Sequence, residues 1–158
     1  MLEESKQSSN FSDYFNQSHW ILDDQNATIR FGQSLAKKLT ENNILFIDGP
    51  LGAGKTTLVK GIAKGLLINE PITSPTFALS HHYLSGQRGL IHLDLYRLEN
   101  PLAAYDLFLQ EEENAISIGA LLIVEWSCRL SDKITKAFHI EIKYMPESGR
   151  KIICSSSL

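Results

Sequence analysis

An α/β fold in three layers, with helices flanking a mostly parallel sheet that carries an antiparallel hairpin insertion and a C-terminal hairpin, follows from three features of the sequence. Two short runs, Ile44 to Ile47 and Ala120 to Val124, are wholly apolar, as strands buried on both faces must be. The first leads through a glycine-rich turn into a helical pattern, the strand-loop-helix unit from which parallel sheets are built. Two pairs of strand-like segments then flank the short turns SGQRG and PESG, whose glycines and serines suit hairpins.

Taken in order, residues 1–17 are polar and rich in Ser, Asn and Gln, which predicts a mobile leader. Residues 18–158 are then expected to form a single domain, long enough to bury a core without staples. The apolar stretch HWIL at 19–22 carries no evident chemistry. Asp23 and Asp24 precede a helical stripe of Ile29, Leu35, Ala36 and Leu39, with Lys37 and Lys38 near its end and Asn42 and Asn43 breaking it. A second helix is predicted over 57–67. After Pro71, strands are expected over Phe77 to Leu84 and Leu90 to Tyr96. Asn100 and Pro101 form a helix start leading into LAAYDLFLQEEEN, whose charged end is expected in solvent. Ala137 to Tyr144 and Lys151 to Ser155 pair as the closing hairpin.

Residues Gly49 to Thr56 read GPLGAGKT, a complete match to the phosphate-binding pattern G-x-x-x-x-G-K-[ST] in the strand-before, helix-after context that the pattern requires. The glycines Gly49, Gly52 and Gly54 let the loop Gly49, Pro50, Leu51, Gly52, Ala53 and Gly54 curve so that its available N–H groups can point at phosphate oxygens. Lys55 adds a positive charge, and the N-terminus of the following helix, at Thr56 and Thr57, favours an anion. The Thr56 hydroxyl is a ligand for magnesium. The predicted fold is accordingly of the P-loop NTPase type.

Bulk properties exclude several function classes. Hydrophobic content of 43%, charged content of 21% and a net charge of -3 are ordinary and give no electrostatic cause for strong nucleic-acid or membrane binding. The longest apolar stretch, Ile118 to Val124, is far short of a membrane span, and MLEESKQSSN lacks a signal-peptide plan, so a cytoplasmic protein is expected. Cys128 and Cys154 are isolated and read as reduced thiols. No internal repeat is present.

Phosphoryl transfer needs placement and electrostatics, so the loop requires acidic company. Glu125 closes the apolar run ALLIV, where a magnesium-supporting acid emerges in such folds, though aspartate is more usual there. Trp126 follows it and either packs over the site or fills core. In HLDLYR, alternation sends His92, Asp94 and Tyr96 to one face and Leu93 and Leu95 to the other. Such a strand is either a wet amphipathic edge or catalytic, and the neighbouring loop favours catalysis. Asp94 could orient the attacking water or bind metal through water, and Arg97 could pair with a carboxylate or a partner surface. TSPTF at 73–77 is placed where nucleotide-sensing loops occur, with hydroxyls suited to a γ-phosphate, although such clusters are often simple turns. His81 and His82 are expected at the surface, and His19 and His139 carry no signal.

In this order, GPLGAGKTT, TSPTF, HLDLYR and VEW resemble the TsaE (YjeE) family, the ATPase of bacterial tRNA threonylcarbamoyladenosine biosynthesis. The resemblance runs from Asp23 to Tyr144 and includes NATIRFGQSLAKKL. It implies ATP and Mg2+ as cofactors, TsaB and TsaD as partners, and contact with tRNA only through them. The implied role is to reset the TsaB–TsaD complex by ATP hydrolysis between rounds of modification of the adenosine beside the anticodon, in tRNAs reading codons that begin with A. By the same resemblance Lys55 meets the phosphates, Thr56 and Glu125 hold magnesium, and Asp94 serves hydrolysis. Thr76 and Trp126 are switch and site-lining positions, and Thr28 approaches the nucleotide base. The chain departs from the family pattern after DLYR, where PLAAYDLFLQEEEN replaces a Leu-Gly-containing, glutamate-rich helix. A small-molecule kinase is the alternative use of such a loop, but no arginine cluster marks a lid. A guanine-nucleotide switch would carry an N-K-x-D motif, which is absent.

Overall fold

A computed structural model describes residues 19–40, 43–131, 134 and 137–156. The leader expected over 1–17 lies outside the described residues, as does Asn42. In chain order the elements are β1 (His19–Leu22), α1 (Gln25–Ala36), β2 (Ile44–Asp48), α2 (Lys55–Gly65), β3 (Ser80–Tyr83), β4 (Leu90–Asp94), α3 (Pro101–Ile118), β5 (Leu121–Glu125), a short 3-10 turn (Ser127–Arg129), β6 (Phe138–Tyr144) and β7 (Arg150–Ser156).

The strands form one sheet in the order β1-β7-β6-β2-β5-β4-β3. Its centre is parallel: β2 pairs with β6 and β5, and β5 with β4. The antiparallel pairs are β3 with β4, β6 with β7, and β7 with β1. The expected insertion and closing hairpins are thus present. The stretch HWIL forms β1, the strand at one edge of the sheet.

Period-two alternation explains the layers. In β2, Leu45 and Ile47 join a core with Leu35, Leu58 and Ile62 of α1 and α2, whereas Ile44 and Phe46 join Ala104 and Phe108 of α3 on the other face. Each apolar strand thus supplies both cores, which is why it shows no amphipathic pattern. Asp24 caps α1, its carboxylate accepting from the Ala27 N–H at 2.7 Å, and Asn100 caps α3 in the same manner. Helices α1 and α2 touch backbone to backbone. A Cβ on Gly61 would lie 2.4 Å from the Ile29 carbonyl oxygen, and one on Gly32 would lie 2.7 Å from that of Leu58.

Two strands and one helix differ from expectation. The strand predicted from Phe77 begins at Ser80, because Leu79 takes a left-handed φ of 69° and its N–H closes a turn onto Pro75 O. The next strand stops at Asp94, so Tyr96 lies past its end. That strand is no wet edge: all five of its residues are buried between β5 and β3. The acidic run in α3 is not wholly in solvent either. Glu111 is buried and meets His82 of β3 at 2.7 Å, a tie between helix and edge strand that offsets the cost of burying the carboxylate.

Candidate functional site

The parallel strands β2, β4 and β5 end at one edge of the sheet, where β2 delivers the glycine-rich loop, β5 delivers Glu125 and β4 delivers Asp94. Asp94 and Glu125 are register partners, and His92 lies opposite Ile123 on the same side. The predicted one-face grouping of His92 and Asp94 therefore puts both toward α2. A cavity of about 500 Å³ opens there, lined at one end by Gly52, Ala53, Gly54, Lys55, Thr56 and Thr57. Leu51, Thr28, Thr76, Asp94, Glu125 and Trp126 also line it. Gly49 and Pro50 do not, and they contribute from behind.

Lys55 shows how. Its side chain is buried, and its Nζ donates to Gly49 O at 2.7 Å and Pro50 O at 2.9 Å, which bends the loop around the ammonium. The Trp126 ring covers it at 4.7 Å. Burial pushes the Lys55 ammonium below its ordinary value, while the charges of Glu125, Asp94 and Asp48 draw it back up. Gly52 and Gly54 have φ of 74° and 103°, left-handed conformations that glycine adopts without strain. The closing hairpin fixes the same loop from outside. Tyr144 donates to Leu51 O at 2.6 Å, and Arg150 Nε donates to Ala53 O at 2.9 Å. These bonds hold the Leu51 and Ala53 carbonyls from the β6–β7 side, and the Ala53 N–H closes a turn onto Pro50 O at 3.1 Å.

The acidic side is equally ordered. Glu125 is buried, and its Oε1 lies 2.9 Å from His92 Nε2 and 3.4 Å from the Thr56 hydroxyl. Nδ1 of His92 is buried with no hydrogen-bond partner among the described residues. Asp94, 2% exposed, accepts from the Thr76 hydroxyl at 2.9 Å on one oxygen and from the Tyr96 N–H at 2.9 Å on the other. Thr76 in turn meets Ser74 at 2.7 Å. Thr28, from α1, is buried, lines the cavity and donates its hydroxyl to Asp24 O at 3.3 Å. Arg97 does not enter the site; its guanidinium stacks on Phe77 at 4.1 Å.

Several residues with no sequence signal join this centre. Asp48, the last residue of β2, accepts from the Ser127 N–H at 2.8 Å and from the Ser127 hydroxyl, and lies 2.6 Å from Nε2 of His139. It ties the start of the loop to the turn after β5. Burial works to raise its carboxyl, but the bonds to His139 and Ser127 outweigh that and hold it below the usual range, while Asp48 lifts His139 above its ordinary value. Trp126 between them takes φ 60°, a left-handed conformation costly for a bulky residue. The Asp48 bond to the next N–H and the Tyr96 ring at 4.9 Å hold it there. The sequence signal for Asp48 is its position directly before Gly49, whereas His139, Tyr144 and Arg150 gain their roles from strand pairing.

Residues 22–152 match the family model described as threonylcarbamoyl adenosine biosynthesis protein TsaE. Curated relatives called tRNA threonylcarbamoyladenosine biosynthesis protein TsaE include one from a Nostoc species, 41% identical over 132 residues, covering 83% of this chain and 81% of that one. Another, from a Synechocystis species, is 42% identical with 73% of each chain covered, and one from Aquifex aeolicus is 36% identical with 84% and 91% covered. Among solved structures, Bacillus subtilus YdiB superposes with a TM-score of 0.67 at 24% identity, over 89% of this chain and 85% of that one, which shows the shared fold.

Proposed function

Because this chain belongs to the TsaE family of tRNA threonylcarbamoyladenosine biosynthesis proteins, we propose that it is a magnesium-dependent ATPase whose hydrolysis resets a TsaB–TsaD complex between rounds of tRNA modification. One observation carries the reading: Lys55, Thr56, Glu125, Asp94 and Thr76, drawn from four separate parts of the chain, line one cavity around the loop. In this reading residues 18–158 act as one ATPase domain and tRNA is met only through the partners.

The loop N–H groups and Lys55 bind the triphosphate, with Lys55 trading its carbonyl contacts for phosphate oxygens. Thr28 lies toward the base, and Trp126 shields the lysine from water. The Thr56 hydroxyl and Glu125 carboxylate converge to 3.4 Å, a donor pair that suits magnesium, which takes one or two protein oxygens and completes its shell with phosphates and water. Bound there, the ion would neutralise charge on the transferring phosphoryl group. His92 fixes the carboxylate's orientation. Asp94 accepts a hydrogen bond from the attacking water; the water oxygen bonds to the γ-phosphorus as the bond to the β,γ-bridging oxygen breaks, giving ADP and inorganic phosphate. The Thr76 hydroxyl holds Asp94 until a γ-phosphate accepts from it instead, which frees the oxygen that the water needs. Hydrolysis thereby couples to the position of the 73–77 segment.

The test is ATP binding and single- and multiple-turnover hydrolysis, alone and with TsaB and TsaD. Slow hydrolysis alone, binding to the partner pair and support for repeated tRNA modification are expected. Lys55→Ala abolishes binding, and Glu125→Gln lowers hydrolysis by two or more orders of magnitude while weakening its dependence on magnesium. Robust phosphate transfer to a metabolite would show a kinase instead, and full magnesium-dependent activity in Glu125→Gln would overturn the metal assignment.

A further inference from the structure

We propose that the outer face of α3 is a docking seam for an amphipathic helix of a partner protein, one whose apolar stripe is flanked by Lys or Arg. The inference rests on the reading that the chain works within a complex. The core face of α3 is Ala104, Phe108, Glu111 and Ala115. A helix packed in this way ordinarily turns polar residues outward. Here Leu102, Leu109 and Ile116 are 74%, 39% and 67% exposed. Their spacing of seven residues drifts only about 20° per repeat, so the three lie on one line facing away from the core. At 1.5 Å per residue the line spans roughly 21 Å. Single exposed aliphatics are ordinary, but three aligned anchors match the i, i+7 pattern by which grooves and helices take up partner helices.

Charge selects the occupant. Asp106, Glu112 and Glu113 lie beside or between the anchors, and α3 contains no Lys or Arg. Glu111 is already engaged by His82. A second copy of this helix would set acid against acid with no cation on either side, so self-pairing is disfavoured. A partner helix with basic flanks satisfies both the apolar line and the acids, and the acids also exclude neutral or acidic competitors.

The experiment measures binding of the full chain to a purified TsaB–TsaD pair by calorimetry, at low and high salt. Two double variants are compared with the unmodified chain: L109D with I116D, and E112K with E113K. All four positions are remote from the cavity, and an unchanged melting temperature and ATP affinity report that each variant is folded. The unmodified chain is expected to bind, more weakly as salt rises. The first variant should bind about tenfold or more weakly, as expected when two aliphatic anchors are lost, and the second should bind more weakly with a flatter salt dependence. Variants that bind as well as the unmodified chain would overturn the seam and leave the proposed function standing. No binding by the unmodified chain would overturn both.

Discussion

Among the residues, Asp48 shows how one side chain couples parts of a site that sequence spacing cannot connect. It joins the end of β2, the Trp126–Ser127 turn and His139 of β6, and so holds the strained tryptophan over Lys55. The two charges set a pH window. The Asp48 carboxyl is held below its ordinary value of about 3.9, so its contribution is complete above that pH and is lost as pH falls through the depressed value. The His139 imidazole is raised above about 6.5, so its contribution is complete below that pH and fades as pH rises through the raised value. Thermal melts should therefore show a His139→Asn penalty that is largest between about pH 4 and 6.5 and shrinks above it. A penalty that grows between pH 7 and 9 would contradict the assignment. Lys55 and Glu125 were legible in the sequence because the motif and a strand-end position mark them, and Asp94 because alternation groups it with His92, whereas Asp48 and His139 acquire meaning only when β2 and β6 pair.

At the level of elements, the close packing of α1 on α2 holds the helix that follows the phosphate loop. Gly61 and Gly32 bring the two backbones into contact, and a Cβ on Gly61 would meet Ile29 O at 2.4 Å. In an exposed helix, glycine to alanine gains about 1 kcal/mol from propensity. Here Gly61→Ala should instead lose about 1–3 kcal/mol through overpacking, read as a lower denaturant midpoint. A stabilised variant would show that the helices can separate at no cost. The helical periods and the caps Asp24 and Asn100 were readable from residue order. The closeness of two helices far apart in sequence was not. The role of β1 was hidden as well, since four residues have too little pattern to declare a strand until β7 offers its edge.

For the whole molecule, a parallel centre delivers three strand ends to one rim, so residues 48, 94 and 125 meet although no two are near in sequence. A ligand bound in that rim links β2, β4, β5 and α1 and should stabilise the fold globally. At a hundredfold excess over Kd, MgATP contributes about 2.7 kcal/mol, or a rise of roughly 5–10 °C in Tm for a chain of this size. Lys55→Ala should show no such rise above its own nucleotide-free Tm. An equal rise in the variant would place binding elsewhere. No helix among the described residues is long and apolar enough to cross a membrane. Residue order alone carries the layered α/β plan, the phosphate loop, Glu125 at its strand end and the grouping of Asp94 with His92, because period-two burial, glycine spacing and apolar runs are local properties. Only the tertiary structure decided which side chains hold the loop from behind, which face of α3 is left bare and how His92 meets Glu125. These depend on the register and order of strands, and hydrogen bonds between distant segments have no counterpart in local pattern.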